Sequence, residues 1–425
     1  MPTLVMPFVE RSTDNDSSDT DRKITDSRMG LKDSLGPILW ILRLTGLLYG
    51  VTLSSPCRKQ SVTEMLSRRC CSPCLLYGIF VVCLLWGNLA LSLWSFNGMT
   101  SFDGFVCNQI ITSTWFFQVA CTALCNIWLS KHWNTIFTTW DKHVISLDPR
   151  LAVGDRRSAI VAAVLYVVWL LVEFGFVGIG AYLMEGGGIG SGGSFTDQHH
   201  FNMFFQFLFV LIFFYFISAW YSMTAVFGIL AFGLYRAFRA FFKRLQENFV
   251  DGKFKGDVEQ LRQKHGNLIR LLGIIDGLVS TYILLVVGTI IPLIIFTLYF
   301  VLFETIDTFS YMATWWSVSL SLIQIMLVFI GGGLVNHMAH YPAESLYGID
   351  LSCRTSEECH QITVFLNQLT SHPIGFTAFG LFTIDRPTII TFAGSIVTYA
   401  VVVIQFAPSD GAVDPARFVC NCSCV

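Results

Sequence analysis

Seven apolar runs divide this chain, set apart by polar or glycine-rich breaks. They extend from Cys74 to Phe96, Phe105 to Leu129, Ser158 to Met184, Phe201 to Leu234, Gly277 to Phe303, Phe309 to Asn336 and Pro387 to Phe406. A helix needs about 20 mostly apolar residues to cross a hydrocarbon layer roughly 30 Å thick, and every run is long enough. The 425 residues therefore read as an all-α membrane protein with seven transmembrane helices rather than as a string of soluble domains. The charged share of 13% agrees, against roughly 25% in soluble proteins. An eighth apolar run, Leu35 to Leu53, carries Arg43 and follows Gly36-Pro37, and is read as an amphipathic or half-inserted helix.

Basic residues accumulate in cytoplasmic loops, which makes their placement a test of orientation. Of 27 Lys and Arg residues, 24 lie before span one, between spans two and three, or between spans four and five, and the loops after spans one, three and five hold none. This predicts a cytosolic N-terminus, an extracellular C-terminus and an orientation opposite to that of G-protein-coupled receptors. The predicted organisation is a disordered polar N-terminus over 1–33, a pre-span helix and basic loop over 34–73, spans one to six over 74–336, a cytosolic anchor region over 337–386, span seven over 387–406 and a tail over 407–425. The net charge of −2 gives no general footprint for nucleic acid.

Long inner segments carry helical periodicity. Phe238, Phe241, Phe242, Leu245 and Phe249 recur every three to four residues beyond span four, and Val258, Leu261, Leu268, Leu272 and Ile275 do so before span five. A third stripe, Ile362, Phe365, Leu366 and Leu369, follows the capping-box pattern Thr355-x-x-Glu358. Three such helices can bury their apolar faces against one another in a compact layer beneath the membrane; the alternative is that each lies flat on the inner leaflet. No internal repeat is present, which disfavours a transporter built of inverted halves.

In the last span Thr388, Thr391, Ser395, Thr398, Val402 and Gln405 fall on one helical face. Polar groups in hydrocarbon must face protein or water. The stripe fits a water-lined pathway and an interhelix packing face equally well, because Ser and Thr also bond back to helix carbonyls. The nine residues Thr398-Tyr399-Ala400-Val401-Val402-Val403-Ile404-Gln405-Phe406 resemble the Thr-Tyr, five mostly hydrophobic residues, Gln-Phe signature that closes insect gustatory receptors. The segment Leu35 to Tyr49 likewise resembles that family's pre-span segment. The likeness covers most of the chain by architecture and the last span by motif. It departs in the tail, where 19 residues with Pro408, Pro415 and three cysteines follow Phe406.

The resemblance implies a ligand-gated, non-selective cation channel in the plasma membrane, opened by a tastant such as a sugar or bitter compound and passing Na, K and Ca. It implies a tetramer around the last helix, formed by copies of this chain or with related receptors, and a pocket lined by spans two to six. Carried onto this chain, Gln405 and Thr398 line the pore, and Val402 and Phe406 form a constriction able to close by dewetting. The runner-up readings are a seven-span receptor signalling through cytosolic partners, and a small-molecule transporter. Acidic residues on the assigned outer side, Asp103, Glu185, Asp197, Glu304, Asp307, Asp410 and Asp414, oppose only Arg417 and would concentrate cations.

Candidate ligand contacts are polar or aromatic residues within the spans: Trp115, Gln118, Glu173, Gln206, Thr297, Tyr299, Thr314, Trp315, Trp316, Ser319 and Gln324. Glu173 stands out, since an intramembrane carboxyl is costly and functional by default, for a polar ligand or for gating; a carboxyl kept neutral or hydrogen-bonded to a neighbouring span is the competing account. Trp at a membrane boundary also serves as an interfacial anchor. No constellation for catalysis, phosphate binding or a cofactor is present. His337-x-x-His340 lacks further metal ligands, and the Gly331-Gly332-Gly333 run lacks the Lys-Ser/Thr of a P-loop. Cys57, Cys70, Cys71 and Cys74 next to Arg68-Arg69 are placed for palmitoylation, and Cys420, Cys422 and Cys424 face the same side as Cys107 and could pair with it.

Overall fold

The computed structural model describes residues 31–49, 51, 73–97, 104–145, 147, 160–161, 163–173, 175, 203–250, 253–254, 256–303, 308–349 and 355–405. Its elements in chain order are α1 (Leu31–Leu44), α2 (Pro73–Trp94), α3 (Gly104–Ser130), α4 (Trp133–Trp140) continued by a π-turn over Asp141–Ile145, α5 (Ala163–Glu173), α6 (Met203–Glu247), α7 (Val258–Phe303), α8 (Thr308–His340), α9 (Pro342–Tyr347), α10 (Ser356–Thr370) and α11 (Arg386–Gln405). Two-residue strands, β1 (Phe249–Val250) and β2 (Lys253–Phe254), form an antiparallel hairpin between α6 and α7. The fold is otherwise helical, as the apolar runs predict.

Helices α2, α3, α6, α7 and α8 are each long and apolar enough to cross a membrane. Helix α5 lies inside the predicted third span, of which residues 158–159, 162, 174 and 176–184 fall outside the described residues, and α11 is the predicted seventh span, a 20-residue helix. At 1.5 Å per residue, α6 with 45 residues and α7 with 46 are each nearly 70 Å long, about twice the hydrocarbon thickness. Their excess projects at one end of the bundle, the basal end, together with α4, α9 and α10.

That basal layer is packed. Phe238, Phe241 and Leu245 of α6, Val258, Leu261, Leu268, Leu272 and Ile275 of α7, and Ile362, Phe365 and Leu369 of α10 are all buried. The capping box of α10 forms as its sequence predicts, with Glu358 N donating to Thr355 Oγ1 and Thr355 N donating to the Glu358 carboxylate. One residue departs from the predicted stripe. Phe249 leaves the helix because α6 ends at Glu247, where the Asn248 side chain donates to Arg244 O at 2.8 Å. Phe249 instead pairs with Phe254 across the hairpin, ring edge to ring face; the intervening Asp251-Gly252 is the kind of pair that favours tight hairpins.

Helix α1 has 14 residues, about 21 Å, too short to span on its own. Leu31, Leu35, Ile38, Leu39 and Leu42 bury one face while Trp40 and Arg43 stay exposed, the amphipathic alternative of the sequence reading. It ends in a turn at Gly46, whose positive φ of 74° suits glycine. A side chain there would meet the Tyr77 ring at 2.9 Å, and one at Gly78 would meet Gly46 O at 2.7 Å. These two glycines let the turn lie against α2.

Candidate functional site

Two layers of polar and aromatic side chains cross the centre of the bundle, and both are assembled from helices distant in sequence. The first is centred on Gln324 of α8, which is fully buried. Its Oε1 accepts from Trp220 Nε1 at 2.8 Å and from Gln118 Nε2 at 3.1 Å. Its Nε2 donates to Thr224 Oγ1 at 3.1 Å and to Tyr282 OH at 3.2 Å. The Thr224 and Tyr282 hydroxyls lie 2.7 Å apart. One amide thus ties α3, α6, α7 and α8 together. Thr224, on the helix that bears Trp220, follows it by one turn, so both face α8. Below this layer Asn126 Nδ2 donates to Ser222 Oγ at 2.8 Å, again joining α3 to α6. Buried polar groups in a membrane bundle are tolerated when bonded in this way.

The second layer is a ladder of rings. Trp115 stands edge-on to Trp220 at 5.1 Å, Trp220 adjoins Tyr221 at 4.9 Å, Tyr221 meets Trp169 at 5.1 Å, and Trp169 stacks on Trp316 at 5.9 Å and 14°. It therefore runs from α3 through α6 and α5 to α8. At its α8 end Trp316 Nε1 donates to Glu173 Oε1 at 3.0 Å. Glu173 is 7% exposed and follows Trp169 by four residues, so the carboxyl and the ring share one face of α5. Among the described residues Trp115 Nε1 and Gln118 Oε1 are buried without a hydrogen-bond partner.

Beside the ladder an open pocket of about 400 Å³ is lined by Tyr311, Met312, Trp315, Trp316 and Ser319. Among the predicted ligand contacts, Trp315, Trp316 and Ser319 thus share a wall, with Glu173 bonded directly behind it. Gln118 and Gln324 lie in the interior, bonded to each other. Trp115 joins the ladder at its far end. Thr297 is buried and donates to Leu293 O at 2.6 Å. Tyr299 and Thr314 are half-buried on α7 and α8. The backbone of Gln206 is helical within α6, and its side chain lies outside the described residues.

Helix α11 is the least covered of the long elements. Ile390 is 72% exposed and Val397 63%, and Thr391, Thr398, Val402 and Gln405 are exposed as well. Among its described side chains, Thr388, Ile389, Phe392, Ser395, Ile396 and Ala400 are half-buried. Thr391, Ser395 and Thr398 each donate to the carbonyl four residues earlier. Of the stripe, Thr388 and Ser395 are partly covered, and Thr391, Thr398, Val402 and Gln405 are open. Phe406 and the tail with its three cysteines lie outside the described residues, as do Cys57, Cys70, Cys71 and the seven acidic residues assigned to the outer side. The Cys107 Sγ lies 3.4 Å from Phe296 O.

The glycine run of α8 serves packing. A side chain at Gly331 would touch Phe227 of α6 at 3.2 Å, one at Gly332 would strike Ile384 at 2.8 Å, and one at Gly333 would meet Ile389 of α11 at 3.1 Å. His340 bonds the main chain with both ring nitrogens, to Asn336 O at 2.9 Å and from Ile374 N at 3.4 Å. Among the described residues no group of three or more His, Cys, Asp or Glu is arranged to hold a metal.

A model of the 7tm chemosensory receptor family matches residues 35–410. The chain belongs to that family. Among solved structures, this chemosensory receptor is similar to the insect olfactory receptor OR5 from Machilis hrabei, with a TM-score of 0.67 at 14% identity, covering 92% of this chain and 100% of that one. It is also similar to the same receptor in complex with eugenol, with a TM-score of 0.68 at 14% identity over 88% and 98% of the two chains. At this identity the likeness concerns the fold. No curated protein matches the chemosensory receptor in sequence.

Two connections of the chemosensory receptor were not found from its sequence. Asp276, at the membrane edge of α7, accepts from Thr377 N at 2.7 Å and Thr377 Oγ1 at 2.8 Å, fastening α7 to the turn that leads into α11. Burial raises the Asp276 carboxyl above the usual carboxylate range, while the two Thr377 bonds pull it back. His265 of α7 sits fully buried in the basal layer against Phe238, Phe241 and Phe365, with Nε2 at 3.0 Å from Ala339 O. Burial holds its imidazole down at about 4. Asp276 lies one residue outside an apolar run and His265 inside a stripe, so only their tertiary partners distinguish them.

Proposed function

We propose that this chemosensory receptor is a subunit of a ligand-gated, non-selective cation channel of the gustatory class, opened by a small-molecule tastant. The observation that carries the reading is the state of α11. The 20-residue helix leaves Thr391, Thr398 and Gln405 uncovered by the rest of the chain, and copies of the chain arranged around an axis give that polar face water to line. The exposed apolar residues Ile390, Val397 and Ile404 then meet neighbouring subunits or lipid. The Thr398-Tyr399 and Gln405-Phe406 pairs resemble the gustatory signature and support that class over the olfactory one.

In this reading the assembly is a tetramer in the plasma membrane with the basal end in the cytosol, where most of the basic residues lie. Gln405 and Thr398 line the conduction path for Na, K and Ca, and Val402 with Phe406 forms its constriction. The ligand enters beside the aromatic ladder. The complex of the Machilis hrabei receptor with eugenol supports a small organic ligand in this fold. Movement of α7 reaches α11 through the hydrogen bonds of Asp276 with Thr377, nine residues before α11 begins.

The test is whole-cell current from cells expressing this chain alone, challenged with sugars and bitter compounds, alongside Gln405→Glu. A ligand-evoked cation current whose selectivity or conductance changes in the variant is expected. An evoked current identical in the two proteins removes Gln405 from the pore, and a purified protein in a synthetic bilayer that passes no ligand-evoked current sinks the channel reading.

A further inference from the structure

Glu173 is the sole Asp, Glu, Lys or Arg in the seven apolar runs. Among the described residues no lysine or arginine forms an ion pair with it, and Trp316 Nε1 bonds it at 3.0 Å. A carboxylate in a membrane bundle without a counter-charge is expensive. The same indole forms part of the wall of the open pocket with Tyr311, Trp315, Met312 and Ser319. Three aromatic side chains and a polarisable thioether there present no formal charge of their own. The face of an indole attracts cations through its quadrupole, and an indole N–H donating to a carboxylate is made more electron-rich, which strengthens that attraction. The arrangement supplies two elements for one kind of group: aromatic rings at the surface and, hydrogen-bonded to one of them, the Glu173 carboxyl.

We propose that the pocket bounded by Tyr311, Trp315 and Trp316 binds an organic ammonium group, with Glu173 as its counter-charge. The proposal rests on the receptor reading above and narrows its ligand to an amine-bearing molecule. An apolar remainder of the ligand packs on Met312 and the Trp315 ring, while Ser319 marks the polar edge of the pocket; sugars, which carry no charge, would leave Glu173 uncompensated. The same chemistry is offered by a free amine and by the choline headgroup of a membrane lipid, since the pocket is open at the bundle surface.

The test uses the full chain purified into phosphatidylglycerol nanodiscs and radiolabelled benzyltrimethylammonium as the probe. Saturable binding is expected, displaced about tenfold or more better by choline than by 3,3-dimethylbutan-1-ol, which replaces the nitrogen with carbon at equal shape; tenfold corresponds to the ~1.4 kcal/mol of a moderate cation–π contact. Glu173→Gln should weaken binding about tenfold. Trp316→Phe, which keeps a ring but loses the indole bond to Glu173, should weaken it several-fold and decides the question if the first variant does not fold. In phosphatidylcholine nanodiscs, unchanged binding assigns the site to a free amine and suppressed binding assigns it to the lipid headgroup. No saturable binding, equal displacement by the charged and neutral competitors, or full binding in both variants overturns the proposal. Because binding is read without current, saturable binding in a protein that never conducts retains the ammonium site and sinks only the channel reading.

Discussion

Replacing Gln324 by methionine tests whether the central amide holds the bundle together. Methionine keeps nearly the same length and volume, so no cavity opens and the loss is confined to hydrogen bonds. Four bonds disappear, to Trp220, Gln118, Thr224 and Tyr282. Thr224 and Tyr282 retain each other at 2.7 Å, whereas Trp220 Nε1 and Gln118 Nε2 lose the acceptor they share. Interhelix bonds in membranes average about 0.6 kcal/mol, which sets a floor near about 2.4 kcal/mol. Two stranded buried donors at roughly 2 kcal/mol each set a ceiling near about 4 kcal/mol. With about 1.1 °C per kcal/mol for a chain of 425 residues at roughly 2.1 cal/mol/K of unfolding entropy per residue, the melting temperature of purified protein should fall by roughly 3–4 °C. Tyr282→Phe alone should cost about 1 kcal/mol, and the double variant should be less destabilised than the two single changes taken together, because they share a bond. A melting temperature for Gln324→Met within about 1 °C of the parent, or strict additivity with Tyr282→Phe, would refute the argument that this network couples the four helices.

Acidification should loosen the basal layer through His265. Its imidazole is near 6.5 when unfolded and about 4 when folded, so the unfolded chain binds the proton first. The stability it contributes is whole above pH 6.5 and is lost as pH falls from there through about 4, amounting to about 2 kcal/mol by pH 5; His265→Phe should flatten that part of a melting-temperature profile, and an unchanged slope would exclude His265 as its source. Asp276→Ala strands Thr377 N and should lower stability by about 2–3 kcal/mol, with Asp276→Asn retaining part of it through its amide oxygen. Equal melting temperatures for Asp276→Ala and the parent would show that the link to the turn before α11 carries no energy.

Much of the architecture is legible along the chain because the bilayer imposes a one-dimensional rule: a long enough apolar run must become a helix. The capping box at Thr355, the amphipathic face of α1 and the three basal stripes were readable for the same local reason, that a 3.6-residue period survives in sequence. Glu173 was also visible, because a charge within such a run has no apolar explanation. The sequence could equally recognise the polar face of α11, since its spacing is a property of one helix.

Which polar groups meet is settled by the packing of helices distant in sequence. Gln118 and Gln324 are 206 residues apart, and nothing local separates two glutamines that bond each other from two that face a ligand. Trp316 read as an interfacial anchor or a pocket wall until its indole was found bonded to a carboxylate 143 residues away. The packed basal layer, rather than three helices lying on a membrane, likewise followed from partners and not from periodicity. Amphipathic spacing says that a face must be covered, whereas the identity of the cover is fixed by how the helices cross, and that geometry depends on the whole bundle at once.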